Sequence, residues 1–163
     1  MGEHEEGAAV APALLFDRLV DMEPWQAREA RPLRVLNQAQ LELSVRAEVQ
    51  QLLNTRCSLT VAQAEERAPS ERSVLDYGVP EMTWMNPASR EDQVRLEKVL
   101  SRTLAAFEPR LLQPRAAVEQ FDAERRVLSV SISAALLVGR LAEPVSFKVQ
   151  VDLHGRGDSH GRE

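Results

Sequence analysis

An α+β domain, with N-terminal helices packed on a small C-terminal antiparallel β-meander, is the fold class this sequence predicts. Three observations predict it. Apolar residues recur at spacings of three and four as far as Phe107, which is a helical period. Beyond Pro114 the period changes to two, the signature of strands with one apolar and one wet face. The alternating runs follow one another through short links, which selects hairpins over crossovers, and the preceding helices are left to cover the apolar face. At 163 residues the chain suits one domain, and a chain of that size buries about 68–70% of its unfolded surface.

The elements follow in order. Residues 1–12 read as a flexible acidic arm. Residues 13–21 form a short amphipathic helix with Leu14, Leu15 and Leu19 as apolar positions and Phe16 beside them. Residues 22–36 contain Pro24, Trp25 and Pro32, lack helical periodicity and read as an irregular connector. From 37 to about 55 the pattern is helical, with Leu41, Val45, Val49, Leu52 and Leu53 on one face and Asn37 as N-cap. Residues 56–73 read as a polar loop. The run Ser73-Val74-Leu75-Asp76-Tyr77-Gly78-Val79-Pro80 reads as a buried turn that seats Tyr77 against the core. Ser89-Arg90-Glu91-Asp92 resembles a capping box with Asp in place of Glu, opening a helix whose face carries Leu96, Leu100, Thr103, Leu104 and Phe107. Proline stops it at Glu108, because the residue before a proline avoids helical geometry.

Residues 116–121 form a weak first strand and 122–125 its turn. Residues 126–136 alternate Leu128, Val130, Ile132, Ala134 and Leu136 with serines and Ala135. Residues 145–153 alternate Val145, Phe147, Val149, Val151 and Leu153 with Ser146, Lys148, Gln150 and Asp152. Residues 139–144 join these two strands, and the Gly-rich tail 154–163 is expected to be disordered. The single domain thus spans 13–153, with the first helix peripheral.

Composition removes several function classes. The lone Cys57 excludes a disulfide framework and a multi-thiolate metal site, and no histidine neighbours it. His4, His154 and His160 fall in the terminal arms, so neither a metal site nor a nucleophilic triad is expected. Gly155 and Gly157 follow the last strand and open no helix, so they make no phosphate loop. No cofactor is implied. A net charge of -5 without an arginine stripe argues against nucleic acid. Residues 8–20 are interrupted by Pro12, Asp17 and Arg18, so neither a signal core nor a membrane span is expected, and the chain reads as cytoplasmic. Trp25 and Trp84 are either interface anchors or packing residues of irregular loops.

Phe107-Glu108-Pro109-Arg110-Leu111 is the most informative segment, since it holds opposite charges on either side of a rigid bend. Glu108 and Arg110 form a structural clasp, a docking point or a catalytic carboxylate with its partner. As a surface pair they contribute roughly 0–1 kcal/mol. Glycan hydrolysis requires two carboxyl groups about 5–9.5 Å apart, one with a raised pKa. Arg110 opposes that rise at Glu108, and Glu119 and Asp122, the candidate second acids, stand in no cluster. No enzyme is expected.

Leu15-Phe-Asp-Arg-Leu19, Leu52-Leu-Asn-Thr-Arg56, Ser73-Val-Leu-Asp-Tyr-Gly-Val-Pro80 and Phe107-Glu-Pro-Arg-Leu111 occur in the order and spacing of the TssE family. The chain resembles that family from 14 to 153. TssE proteins are baseplate subunits of the type VI secretion system, similar to the lysozyme-like wedge protein of contractile phage tails. The departures are Cys57-Ser58 after Asn-Thr-Arg and the Gly-rich tail. The resemblance implies a structural subunit at the cytoplasmic face of an inner-membrane-associated baseplate, held by TssF, TssG and TssK. It implies that Glu108, Pro109, Arg110 and the sheet edge meet the sheath proteins TssB and TssC, which join one another by exchanging strands. The helix carrying Leu15, Phe16 and Leu19 is either core or a contact for wedge subunits. The rival readings are a phage-tail wedge protein, a cell-wall glycan hydrolase and an anti-adaptor of similar fold.

Overall fold

The computed structural model describes residues 10–12, 25, 35–139 and 141–153. The expected helix over 13–21, with Leu15, Phe16 and Leu19, lies outside the described residues, as does the tail 154–163.

Strand β1 (Val10–Pro12) pairs antiparallel with β2 (Val35–Asn37), so part of the expected N-terminal arm and the end of the expected connector are joined as a ribbon. Helix α1 (Gln38–Leu53) follows directly. Asn37 caps it as expected: its side chain accepts from the Gln40 N–H at 2.9 Å, and the Gln40 side chain accepts from the Asn37 N–H at 3.0 Å.

The expected loop over 56–73 is in part helical. Thr60 and Gln63 form a second capping box and start the short helix α2 (Val61–Glu66), which buries Val61 and Ala64. A 3-10 turn (Pro69–Glu71) and a second (Val74–Asp76) lead on to α3 (Arg90–Phe107). The expected box at Ser89 does not form. The Ser89 side chain makes no cap bond, and the Asp92 carboxylate instead accepts from the Asn86 N–H at 2.9 Å. Helix α3 buries Leu96, Val99, Leu100, Thr103 and Leu104, the face read from the sequence with Val99 added and Phe107 only partly buried.

Strands β3 (Leu111–Asp122), β4 (Val127–Val138) and β5 (Leu141–Asp152) form an antiparallel meander in the order β3-β4-β5. Each has 12 residues, longer than the alternation alone indicates. β3 starts at Leu111 and carries register shifts after Leu112 and after Val118. At the first shift Gln113 takes φ 50° ahead of Pro114, and this interruption hides the strand's beginning from a period-two reading. The link expected over 139–144 is shorter than that, since Val138 already pairs with Leu141, and Gly139 takes φ 64°. Helices α1 and α3 cover the apolar face, α1 toward β5 and α3 against β3, and together with Leu128, Val130, Ile132, Leu136, Val149 and Val151 they close one core.

Candidate functional site

The corner after α3 is closed by its own backbone. Glu108 N–H completes the last helical turn to the Leu104 carbonyl at 2.9 Å, and the Glu108 carbonyl accepts from Leu111 N–H at 3.1 Å. The Arg110 carbonyl accepts from Leu137 N–H at 2.9 Å, which joins the corner to β4. Arg110 then folds back over Glu108. Its Nε donates to Glu108 Oε1 at 2.7 Å and its Nη2 to Oε2 at 2.7 Å, a two-pronged guanidinium–carboxylate contact. Nη2 also donates to Oε2 of Glu48, on α1, at 2.9 Å.

This corrects the expectation of a surface pair. Glu108 is only 3% exposed, and the Arg110 side chain retains 18% of its surface. Of the three charged groups, Glu48 is the one substantially in solvent, and Pro109 is exposed at the bend. Glu48 is invisible to a reading of local motifs because it approaches from a helix 62 residues upstream of Arg110.

The neighbouring 56–80 region is organised by Arg72. Its Nη1 donates to Thr103 Oγ1 at 2.9 Å, its Nη2 to the carbonyls of Asp76 at 2.7 Å and Gly78 at 2.8 Å, and its guanidinium lies 4.8 Å from the Phe107 ring centroid. Burial lowers its pKa from the usual arginine value. Tyr77 meets Phe107 edge to face at 5.3 Å, so it packs beside the corner, yet it keeps 37% exposure and is not the buried anchor expected. Burial, then the Glu48 and Glu108 charges, raise the Tyr77 pKa. Val74 and Leu75 are also exposed, at 86% and 82%, because the turn directs Asp76 inward. Asp76 accepts from Ser73 N–H at 2.9 Å, and that backbone contact is first among the causes that lower its pKa.

Both outer edges of the meander are partly closed by polar side chains one helical turn apart. On β3, Ala116 N–H donates to Ser101 Oγ at 2.9 Å and Val118 N–H to Glu97 Oε1 at 3.0 Å, both from α3. On β5, Gln150 N–H donates to Gln50 Oε1 at 3.0 Å, Asn54 Nδ2 donates to the Gln150 carbonyl at 2.8 Å, and Asp152 N–H donates to Asn54 Oδ1 at 2.8 Å. Arg56 adds a contact to the Asp152 carbonyl.

The first half of β5 is different. Its register with β4 is unbroken, so the outward direction of the Gln150 backbone fixes that of Lys148, Ser146, Pro144 and Ala142. Among the described residues no strand pairs with this edge. Pro144 falls where its missing N–H faces outward and costs no ladder bond to β4. On the inner face, Val149 and Val151 are buried, whereas Val145 and Phe147 are only partly covered. Among the described residues, backbone and apolar face are unfinished along the same stretch.

Residues 39–140 match the family described as baseplate wedge protein gp25. That is more than half of the chain, and it includes the corner and the whole of α2, α3, β3 and β4. The chain belongs to the baseplate wedge protein gp25 family. Its role as a wedge protein is structural. The resemblance read from the four sequence segments points to the same family. One chain of a solved structure described as "The baseplate complex from the type VI secretion system" is 26% identical, with 70% of this chain and 96% of that chain covered and a TM-score of 0.46. No curated protein matches.

The acids considered for catalysis have other partners in this wedge protein. Glu119 pairs with Lys148 at 2.6 Å, and Asp122 Oδ1 accepts from the Glu124 and Arg125 N–H groups at 3.0 Å. Cys57 is partly buried, with its sulfur 3.9 Å from Arg72 Nη2. Trp84 is 60% exposed, with Arg95 over its ring at 5.7 Å. No helix among the described residues is long and apolar enough to cross a membrane.

Proposed function

We propose that the chain is the TssE subunit of a type VI secretion baseplate, a non-enzymatic platform on which the contractile sheath begins. The open half-edge of β5 receives an extended strand from the sheath pair TssB and TssC. Backbone groups of Ser146 and Lys148 supply the hydrogen bonds, and Val145 and Phe147 take up the strand's alternate apolar side chains. Glu108, Pro109 and Arg110 act by position: they fix where α3 ends and hold β4 through Leu137, which sets the angle of the sheet. TssF, TssG and TssK hold the subunit in the wedge from the cytoplasmic side, with Leu15, Phe16 and Leu19 as their contact.

One observation carries the docking step. Among the described residues the β5 edge is closed from Gln150 onward and unpaired before it, and the burial of its apolar face changes between Phe147 and Val149. Replacing Ser146 with proline removes an outward N–H without touching the pairing to β4, so it discriminates docking from folding. Ser146→Pro is expected to yield a folded protein that enters the baseplate and supports no sheath. Normal extension of fluorescent sheaths in that variant would refute the proposed edge.

A further inference from the structure

The geometry points to Gln50 and Asn54 as a stop that sets how far along β5 an incoming strand pairs, and hence its register. This rests on the strand-docking reading above. A strand zipping along an edge continues while outward N–H and C=O groups are available, and on a regular edge nothing selects one two-residue slip over another. Here both ends of the usable run are defined. Toward the N-terminus, Pro144 has no donor, so the ladder loses a bond there. Toward the C-terminus, the Gln150 N–H is taken by Gln50, the Gln150 carbonyl by both Gln50 and Asn54, and the Asp152 N–H by Asn54.

The Asn54 amide accepts from one backbone N–H and donates to the preceding outward carbonyl, the same pair of bonds a strand residue would make. Gln50, four residues earlier on α1, completes the closure, and Arg56 seals the Asp152 carbonyl behind it. The run left between these limits offers the donors of Ser146 and Lys148 and the carbonyls of Pro144, Ser146 and Lys148. The matching occupant is a short extended segment with apolar residues beside Val145 and Phe147. A two-residue slip toward the C-terminus meets side-chain amides already in place; a slip the other way meets a proline.

Amide hydrogen exchange, followed residue by residue by NMR on the full chain with and without purified sheath subunits, tests this. In the free Gln50→Ala/Asn54→Ala protein, exchange at Gln150 and Asp152 should rise on the order of tenfold or more over wild type. Adding sheath subunits to wild type should slow Ser146 and Lys148. Adding them to the double variant should slow Ser146 and Lys148 and also Gln150 and Asp152, because the strand now runs on or slips. Should those last two amides stay fast in the double variant while Ser146 and Lys148 slow, the stop is wrong and the docking edge stands. Should no β5 amide slow in either protein, the docking edge itself is wrong. The single Gln50→Ala variant, which leaves Asn54 in place at the end of α1, gives the same readout at Gln150 if the double variant does not fold.

Discussion

Glu108 is a buried carboxylate held by one guanidinium, and removing one partner of such a pair leaves a charge without compensation. Arg110→Ala is therefore expected to destabilise the monomer by about 3–5 kcal/mol in urea unfolding. Glu108→Gln combined with Arg110→Ala should restore part of that loss, because no buried charge remains. Charge reversal at Arg110 would gather three carboxylates at the corner, so a failure of sheath assembly in that variant would report folding, contrary to a reading in which the corner is a surface contact. Asp76 gives a second prediction at this scale. Its folded pKa lies below the unfolded value, so the stability it contributes is present above about pH 4 and is lost as pH falls further, through the folded pKa. Asp76→Asn should flatten the acid limb of the stability profile and leave its neutral-to-basic shape unchanged. Equal acid sensitivity in both proteins would contradict the assignment. The charges of the corner were legible in the sequence, whereas its third member was not: Glu48 looks like any solvated helix residue until α1 is laid beside the corner.

At the scale of elements, α1, α3 and the β4 alternation were readable because each has a full apolar stripe and little to interrupt it. The short α2 is hidden in the sequence although Thr60-x-x-Gln63 is a start signal, because only Val61 and Ala64 face inward and six residues show no period. The turn at 73–77 departs from the buried turn its sequence suggests for a physical reason. Hydrogen bonds from Ser73 hold Asp76 inward while Arg72 binds its carbonyl, and this polar network leaves Val74 and Leu75 in solvent. Gly78 follows at φ 108°, and a Cβ there would strike the Thr55 carbonyl, which itself accepts from Val79 N–H at 2.9 Å. Gly78→Ala is expected to lower stability by about 1–3 kcal/mol, read as a shift in thermal midpoint, through strain and loss of this junction. An unchanged midpoint would mean that the 55–57 and 78–79 segments are not rigidly joined. The edge closures were beyond sequence reasoning altogether, since Gln50 meets a strand residue 100 positions away.

At the scale of the whole molecule, two helices seal a three-stranded sheet on one face and at parts of both edges, and among the described residues the first half of the β5 edge stays unpaired beside a partly covered apolar strip. A monomer with fully exposed edges would risk pairing with its own copies, and one with fully closed edges could not take a strand. The partial closure reconciles these demands, and under the proposed function the first half of β5 is where another polypeptide pairs. The strand-accepting half-edge is the central claim, and site-specific photo-crosslinking in cells assembling the secretion apparatus tests it most directly. A photoreactive residue at position 146 is predicted to capture a sheath polypeptide, with one at the sealed position 152 as control. Adducts from position 146 confined to wedge subunits, or equal sheath capture from both positions, would contradict it.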